Sequence, residues 1–246
     1  MKSVAGIWLA LLLAGADAHA ACADIDIAFA ETAISNTERE PLAQELRLAV
    51  DKVCNWWGPT FSGRLTIEVP DTDGPSLALV PAWRGKPGTI VFPAAVVRRG
   101  VAATTHEVVH VFAPNANRFL AEGLAVHAHD RLGGPAAFPN FGRDLDRAAG
   151  RHAGSVDIAA LDRLPTPVPL QLKNMAERST AYLVSGSFVR YLIDQHDADK
   201  FKRLYAMTPF VPGQRNAGDP QRWREVYGVT LDELAQAWRQ RLASRP

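Results

Sequence analysis

An α+β fold is predicted for this chain of 246 residues, with a small mixed sheet first and a mostly helical part after it. Three observations predict it. Short runs rich in β-branched residues, bounded by Pro and Gly, are confined to about residues 21–100. Apolar residues at helical spacing dominate from about residue 101 onward. Strands and helices come in separate blocks, which distinguishes this class from an alternating α/β fold.

The elements follow in order. Residues 24–31 alternate weakly and form the first strand candidate. From Pro41 to Trp57 the apolar positions Leu42, Leu46, Val50, Val53 and Trp57 recur at helical spacing, with Asn36 and Thr37 as candidate caps. Leu65–Val69 is a strand, closed by Pro70 and the turn signals around Gly74. Leu77–Val80 and Thr89–Phe92 are further strands, separated by the Pro/Gly-rich segment 81–88. Two helices, Ala102–Phe112 and Phe119–Arg131, are joined by a Pro-Asn-Ala-Asn loop. A polar, Gly-containing stretch at 133–154 and the breaks at Pro165, Pro167 and Pro169 precede a long helix over Thr180–Gln195. Helices at Asp199–Met207 and Thr230–Ala243 flank a Pro/Gly-rich loop at 208–220. By their length, the loops at 133–154 and 208–220 are expected to cover a cleft.

Composition narrows the function classes. Hydrophobic residues at 47% suffice for a substantial core. A net charge of +1, with no run of like charges, argues against nucleic acid as a partner. Lys2, the apolar stretch Val4–Ala14 and Ala18-His19-Ala20 read as an export signal over residues 1–20, cleaved near Ala20. The stretch is too short to span a bilayer, so no stable membrane insertion is expected and the product is periplasmic or extracellular. A lipoprotein anchored through Cys22 is the alternative. Cys22 and Cys54 are the only cysteines, and an even pair in an exported protein favours a disulfide.

The chemistry is carried by His106-Glu107-Val108-Val109-His110, an H-E-x-x-H. On a helix, positions i and i+4 lie about 40° apart around the axis, so both imidazoles reach one ion. Glu107 then projects beside the ion, within reach of a water whose proton it can accept. Two histidines leave such a site incomplete. Phe119-Leu120-Ala121-Glu122-Gly123-Leu124-Ala125 puts a carboxylate on the next helix, where small residues permit close packing against the first. Glu122 among apolar neighbours is costly to bury unless paired or metal-bound. His106, His110 and Glu122 are therefore the candidate ligands. A fourth position left open marks a catalytic and not a structural zinc.

These two segments resemble the gluzincin clan of metallopeptidases, and within it the bacterial peptidase MA-like group. Ala181–Leu192 and Tyr227–Leu234 with Trp238 share the resemblance, which covers roughly residues 85–243. It implies a zincin-like fold with residues 21–246 as one catalytic domain, divided into an α/β part to about residue 100 and a helical part beyond. It further implies a zinc metallopeptidase acting on a peptide or protein substrate, with one Zn2+ per chain and Glu107 as general base. Tyr182 stands about where gluzincins place a tyrosine that steadies the oxyanion, although a plain core aromatic fits the position equally. Thr89–Phe92 resembles the edge strand on which such enzymes lay an extended peptide, or is an ordinary sheet strand. The chain departs from the pattern in two ways. It lacks a Gly-x-Met-x-Asn signature, and Val126 stands where thermolysin-like enzymes carry an Asp that orients a histidine, so that support must come from elsewhere. His127, His129 and Asp130 are read as a solvated helix end, with one of them facing the cleft as a donor or as support for a ligand as the alternative, and His152 and His196 as surface residues. Two alternatives from other classes remain. One is a catalytically silent scaffold for envelope binding or assembly. The other is a metal-delivery protein built on 106–129.

Overall fold

The computed structural model describes residues 22, 24–79, 88–164, 175–211 and 218–245. The expected export signal and most of the segments 81–88 and 165–174 lie outside them, as do Val80 and residues 212–217.

Among the described residues, four strands form one sheet in the order β1-β2-β4-β3: β1 (Asp26–Thr32), β2 (Arg64–Val69), β3 (Leu77–Leu79) and β4 (Thr89–Val91). β1, β2 and β4 run parallel, and β3 is antiparallel to β4. β2 shows why this segment is a strand. Leu65, Ile67 and Val69 are fully buried while Arg64, Thr66 and Glu68 alternate to the other face. Strands with one face buried cannot slip register without exposing that face.

Helix α1 (Asn36–Trp57) lays Leu42, Leu46, Val50 and Val53 into the core. It begins well before Pro41, where the sequence reading started it. Its true cap is Ser35, whose Oγ accepts from the Glu38 N–H while the Glu38 carboxylate accepts from the Ser35 N–H at 2.8 Å. This reciprocal pair fixes the helix start. Pro41 is tolerated inside, at the loss of one backbone hydrogen bond. Cys54 near the end of α1 is bridged to Cys22, as expected.

Ten helices are described in all. After the short α2 (Ala94–Arg98) come α3 (Thr104–Phe112) and α4 (Arg118–Leu132), then α5 (Leu145–Gly150), α6 (Ile158–Asp162), α7 (Met175–His196), α8 (Ala198–Ala206), α9 (Arg222–Tyr227) and α10 (Leu231–Ala243). Every residue of α3 is buried, as is α4 without a break from Phe119 to His129. α3 is buried all round although it carries Thr104, Thr105, His106, Glu107 and His110, so these polar groups need partners inside the protein. The short helices α2, α5, α6 and α9 were not expected, because five or six residues are too few to show a helical period.

The close packing attributed to Gly123 is real but faces a different neighbour. A β-carbon at Gly123 would lie 2.7 Å from the Ser185 carbonyl oxygen, and one at Gly186 would lie 2.4 Å from Val126 Cγ1. The two glycines let α4 and α7 touch backbone to side chain, whereas the sequence reading set the small residues of α4 against α3. One cluster of buried residues joins Cys22 and the sheet to Phe188, Trp223 and Trp238.

The edge strand also differs from expectation. Thr89–Val91 is interior, with β2 on one side and β3 on the other, and Ile90 is fully buried. β3 supplies the edge next to α3.

The Cys22–Cys54 bridge closes a separation of 32 residues. By chain-entropy reasoning its loss costs about 3–4 kcal/mol. Urea unfolding of the protein with and without a reductant should show a loss of that order. An unchanged midpoint would mean that the N-terminal segment is held by packing alone.

Candidate metal centre

α3 and α4 place three donor atoms together. His106 Nε2 lies 3.1 Å from Glu122 Oε2, His110 Nε2 lies 3.2 Å from the same oxygen, and the two Nε2 atoms are 3.2 Å apart. One helical turn separates the histidines, and a five-residue connection returns the chain so that Glu122, on the second turn of α4, meets them. The α4 start is fixed by Asn117, whose side chain accepts from the Leu120 N–H at 3.0 Å.

These donors fit a cation. A tetrahedral ion with bonds of about 2.0–2.1 Å holds its ligands roughly 3.3 Å apart, close to all three separations. The two Nε2 atoms carry at most two protons, so hydrogen bonds satisfy at most two of the three contacts. A cation satisfies all three. All three residues are buried, and they form a group that could hold a metal ion, the only one among the described residues.

The charge of Glu122 is what the cluster is built to hold. Burial pushes its carboxyl up. The Arg118 guanidinium and the His110 and His106 imidazoles outweigh burial and keep it well below the usual carboxylate range. Arg118, one turn earlier on α4, donates to Glu122 Oε1 and leaves Oε2 to the histidines. Sequence reasoning missed Arg118, although the spacing Arg118…Glu122 was a visible i,i+4 pair. It orients Glu122 and not a histidine, and His106 Nδ1 meets no hydrogen-bond partner among the described residues.

Glu107 is buried beside the cluster and accepts a 2.8 Å hydrogen bond from the Ala78 N–H of β3. Burial is the main cause that raises its carboxyl to about 7, with His106 opposing and the negative Glu122 adding to the rise. Because Ala78 N–H turns to Glu107 and not to β4, the open side of the edge strand faces the cluster. Tyr182 on α7 also reaches it: its ring stacks on His106 with centroids 6.2 Å apart. Burial, then the Glu122 charge, hold its phenol well above 10 and so protonated. All five residues picked out from the sequence thus converge.

The histidines of the α4 end were misplaced by the sequence reading. His127 and His129 are buried, not solvated. His129 Nε2–H donates to the Pro135 carbonyl at 2.9 Å. His127 packs against the edge of Trp56, and neither of its nitrogens meets a hydrogen-bond partner among the described residues. Asp130 pairs with Arg190 of α7 and accepts from Asn140 at 2.9 Å. His196 is half-buried against Tyr191 and Tyr227. Of the two expected cleft loops, 133–154 does approach the cluster, through Phe138 against Tyr182.

No family model and no curated protein matches the chain. Among solved structures it is similar to an M1 zinc metallopeptidase from Deinococcus radiodurans, crystallised in a mutant form. The TM-score is 0.43 at 18% identity, over 88% of this chain and 46% of that one. The chain therefore spans about half the length of that neighbour. Likeness at this level defines neither family nor activity, and the site stands on its own geometry.

His127 gives a pH prediction. Burial, with Arg190 and Arg131 adding, depresses its pKa from 6.5 to about 3. Between those values the unfolded chain takes a proton that the folded protein refuses, so stability is lost as pH falls from 6.5 towards 3. The loss from this group should reach about 2 kcal/mol by pH 5. Urea midpoints at pH 7 and pH 5 should converge in His127→Phe relative to the parent. Equal pH dependence in both proteins would refute the assignment.

Proposed function

We propose that the chain is an exported zinc peptidase, with one Zn2+ held by His106, His110 and Glu122, and Glu107 as general base. The observation that carries this reading is the buried triangle of donor atoms with a second buried carboxylate, Glu107, next to it on α3. The disulfide supports an oxidising compartment. No helix among the described residues is long and apolar enough to cross a membrane.

Zinc bound there would supply Lewis acidity, polarising a scissile carbonyl and acidifying water. The chain's own residues do the rest. An extended peptide lies along the outer edge of β3, where it takes over the Ala78 N–H that Glu107 now holds. Glu107 takes a proton from the attacking water and passes it to the leaving amine. Burial raises the Glu107 carboxyl and so favours its taking a proton, with a bound cation acting in the opposite direction. The protonated Tyr182 phenol donates towards the developing oxyanion. Arg118 holds Glu122 ionised and oriented, the work done elsewhere by residues behind the ligands.

Metal content by mass spectrometry, beside cleavage of a quenched peptide library, tests the reading. The parent should carry about one zinc per chain, as expected for a three-ligand site. Glu122→Ala should weaken metal retention and Glu107→Gln should keep it, with cleavage lost in both. Absence of zinc after reconstitution would sink the proposal, and zinc without cleavage would favour a silent scaffold or a metal-delivery role.

Tyr182→Phe keeps the ring on His106 and removes only the donor. A loss of roughly 10²-fold in kcat, with KM and zinc content little changed, is expected for a missing oxyanion donor. Unchanged kcat would return Tyr182 to the core.

A further inference from the structure

A chain of aromatic contacts leads outward from the metal centre. Tyr182 stacks on His106 with an interplanar angle of 13°, Phe138 meets Tyr182 edge-on at 5.2 Å, and Phe141 meets Phe138 edge-on at 6.3 Å. The last ring is 53% exposed. Phe141 also has φ 48, a left-handed conformation that residues bearing a β-carbon rarely adopt. An apolar ring displayed in solvent, at a position suited to Gly or Asn, carries two unfavourable choices at once.

The turn that displays it is rigidly held. Phe141 N–H donates to the Ala137 carbonyl at 2.8 Å. The buried Asn140 amide donates to Asp130 of α4 at 2.9 Å and to the Arg143 carbonyl at 2.8 Å. Asp130 is in turn paired with Arg190 of α7. The same two helices carry Glu122 and Tyr182, so the exposed ring is fixed relative to the metal centre.

We propose that Tyr182, Phe138 and Phe141 form a subsite for an aromatic or long aliphatic side chain of the peptide residue next to the bond being cleaved. The proposal rests on the metallopeptidase reading and adds the substrate class to it: peptides with a large apolar residue at that position. A benzyl or isobutyl group laid on this shelf replaces water against three rings, and edge-to-face contact rewards a flat one. A small or charged side chain gains nothing there.

Two pairs of zinc-chelating probes test this by binding, independently of turnover. One pair is an acyl-amino-acid hydroxamate and the other a substituted succinyl hydroxamate, each bearing either benzyl or hydrogen, so that the group falls on opposite sides of the ion. Calorimetry on the zinc-loaded parent should show one of the benzyl probes binding about ten-fold or more tighter than its hydrogen counterpart. In Phe141→Asn, which suits the left-handed turn and keeps the fold, most of that preference should vanish while zinc content and the affinity of the hydrogen probes hold. Zinc and hydroxamate binding with no benzyl preference, or a preference untouched by Phe141→Asn, would overturn the subsite and leave the metal centre standing. A protein that takes up no zinc overturns both readings.

Discussion

A carboxylate taken entirely out of water is the constraint on which this molecule turns. Glu122 is 1% exposed, and burying an unpaired charge costs several kcal/mol. The fold meets that cost with partners from three helices, Arg118 from within α4, His106 and His110 from α3 and the Tyr182 phenol from α7. Each must stay within a few tenths of an ångström of its position, so the surrounding structure is organised to keep α3, α4 and α7 from sliding. The connection between α3 and α4 is tied down twice. Asn115 donates to the Tyr205 carbonyl and accepts from Thr208, while the Tyr205 hydroxyl donates to the Ala113 carbonyl. On the far side, Gly123 and Gly186 leave α7 no freedom to shift against α4.

The division of labour at Glu122 orients the third ligand, a different task from that of an Asp at position 126, which would serve a histidine. Arg118 occupies one carboxylate oxygen and the histidines face the other. A carboxylate pinned in this way presents a single oxygen in a fixed direction. Support therefore comes from the ligand's own helix, one turn back, and position 126 is released to be an apolar contact for Gly186.

Much of this was legible in the sequence where a feature is local. The H-E-x-x-H helix, the carboxylate one loop later, the cysteine pair and the long helices all depend on short-range spacing, and they stand close to where the spacing put them. What escaped depends on contacts distant in sequence. The start of α1 was legible in Ser35-Asn36-Thr37-Glu38 but was overridden by attention to Pro41. The choice between edge and ordinary strand at Thr89–Val91 stayed open because strand order is a tertiary fact: β3 precedes β4 in the chain and lies outside it in the sheet. His127 and His129 were mistaken for a wet helix end because polarity was allowed to stand for exposure. On a helix enclosed by α1, α3 and α7, polar residues go inside with the rest.

One buried knot has a consequence in time as well as in space. The Asp162 carboxylate accepts from Arg222 and Trp223 of α9, and also from Asn117, the residue that caps α4. The helix that delivers Glu122 is thus locked at its first turn by residues a hundred positions further on. As the chain is made, its histidines and glutamate all emerge well before Arg222 and Trp223 do. The hold of Asp162 on the cap of α4 can close only after residues 222 and 223 have been made. The C-terminal quarter supplies no donor atom, yet it completes the grip on the helix that carries one.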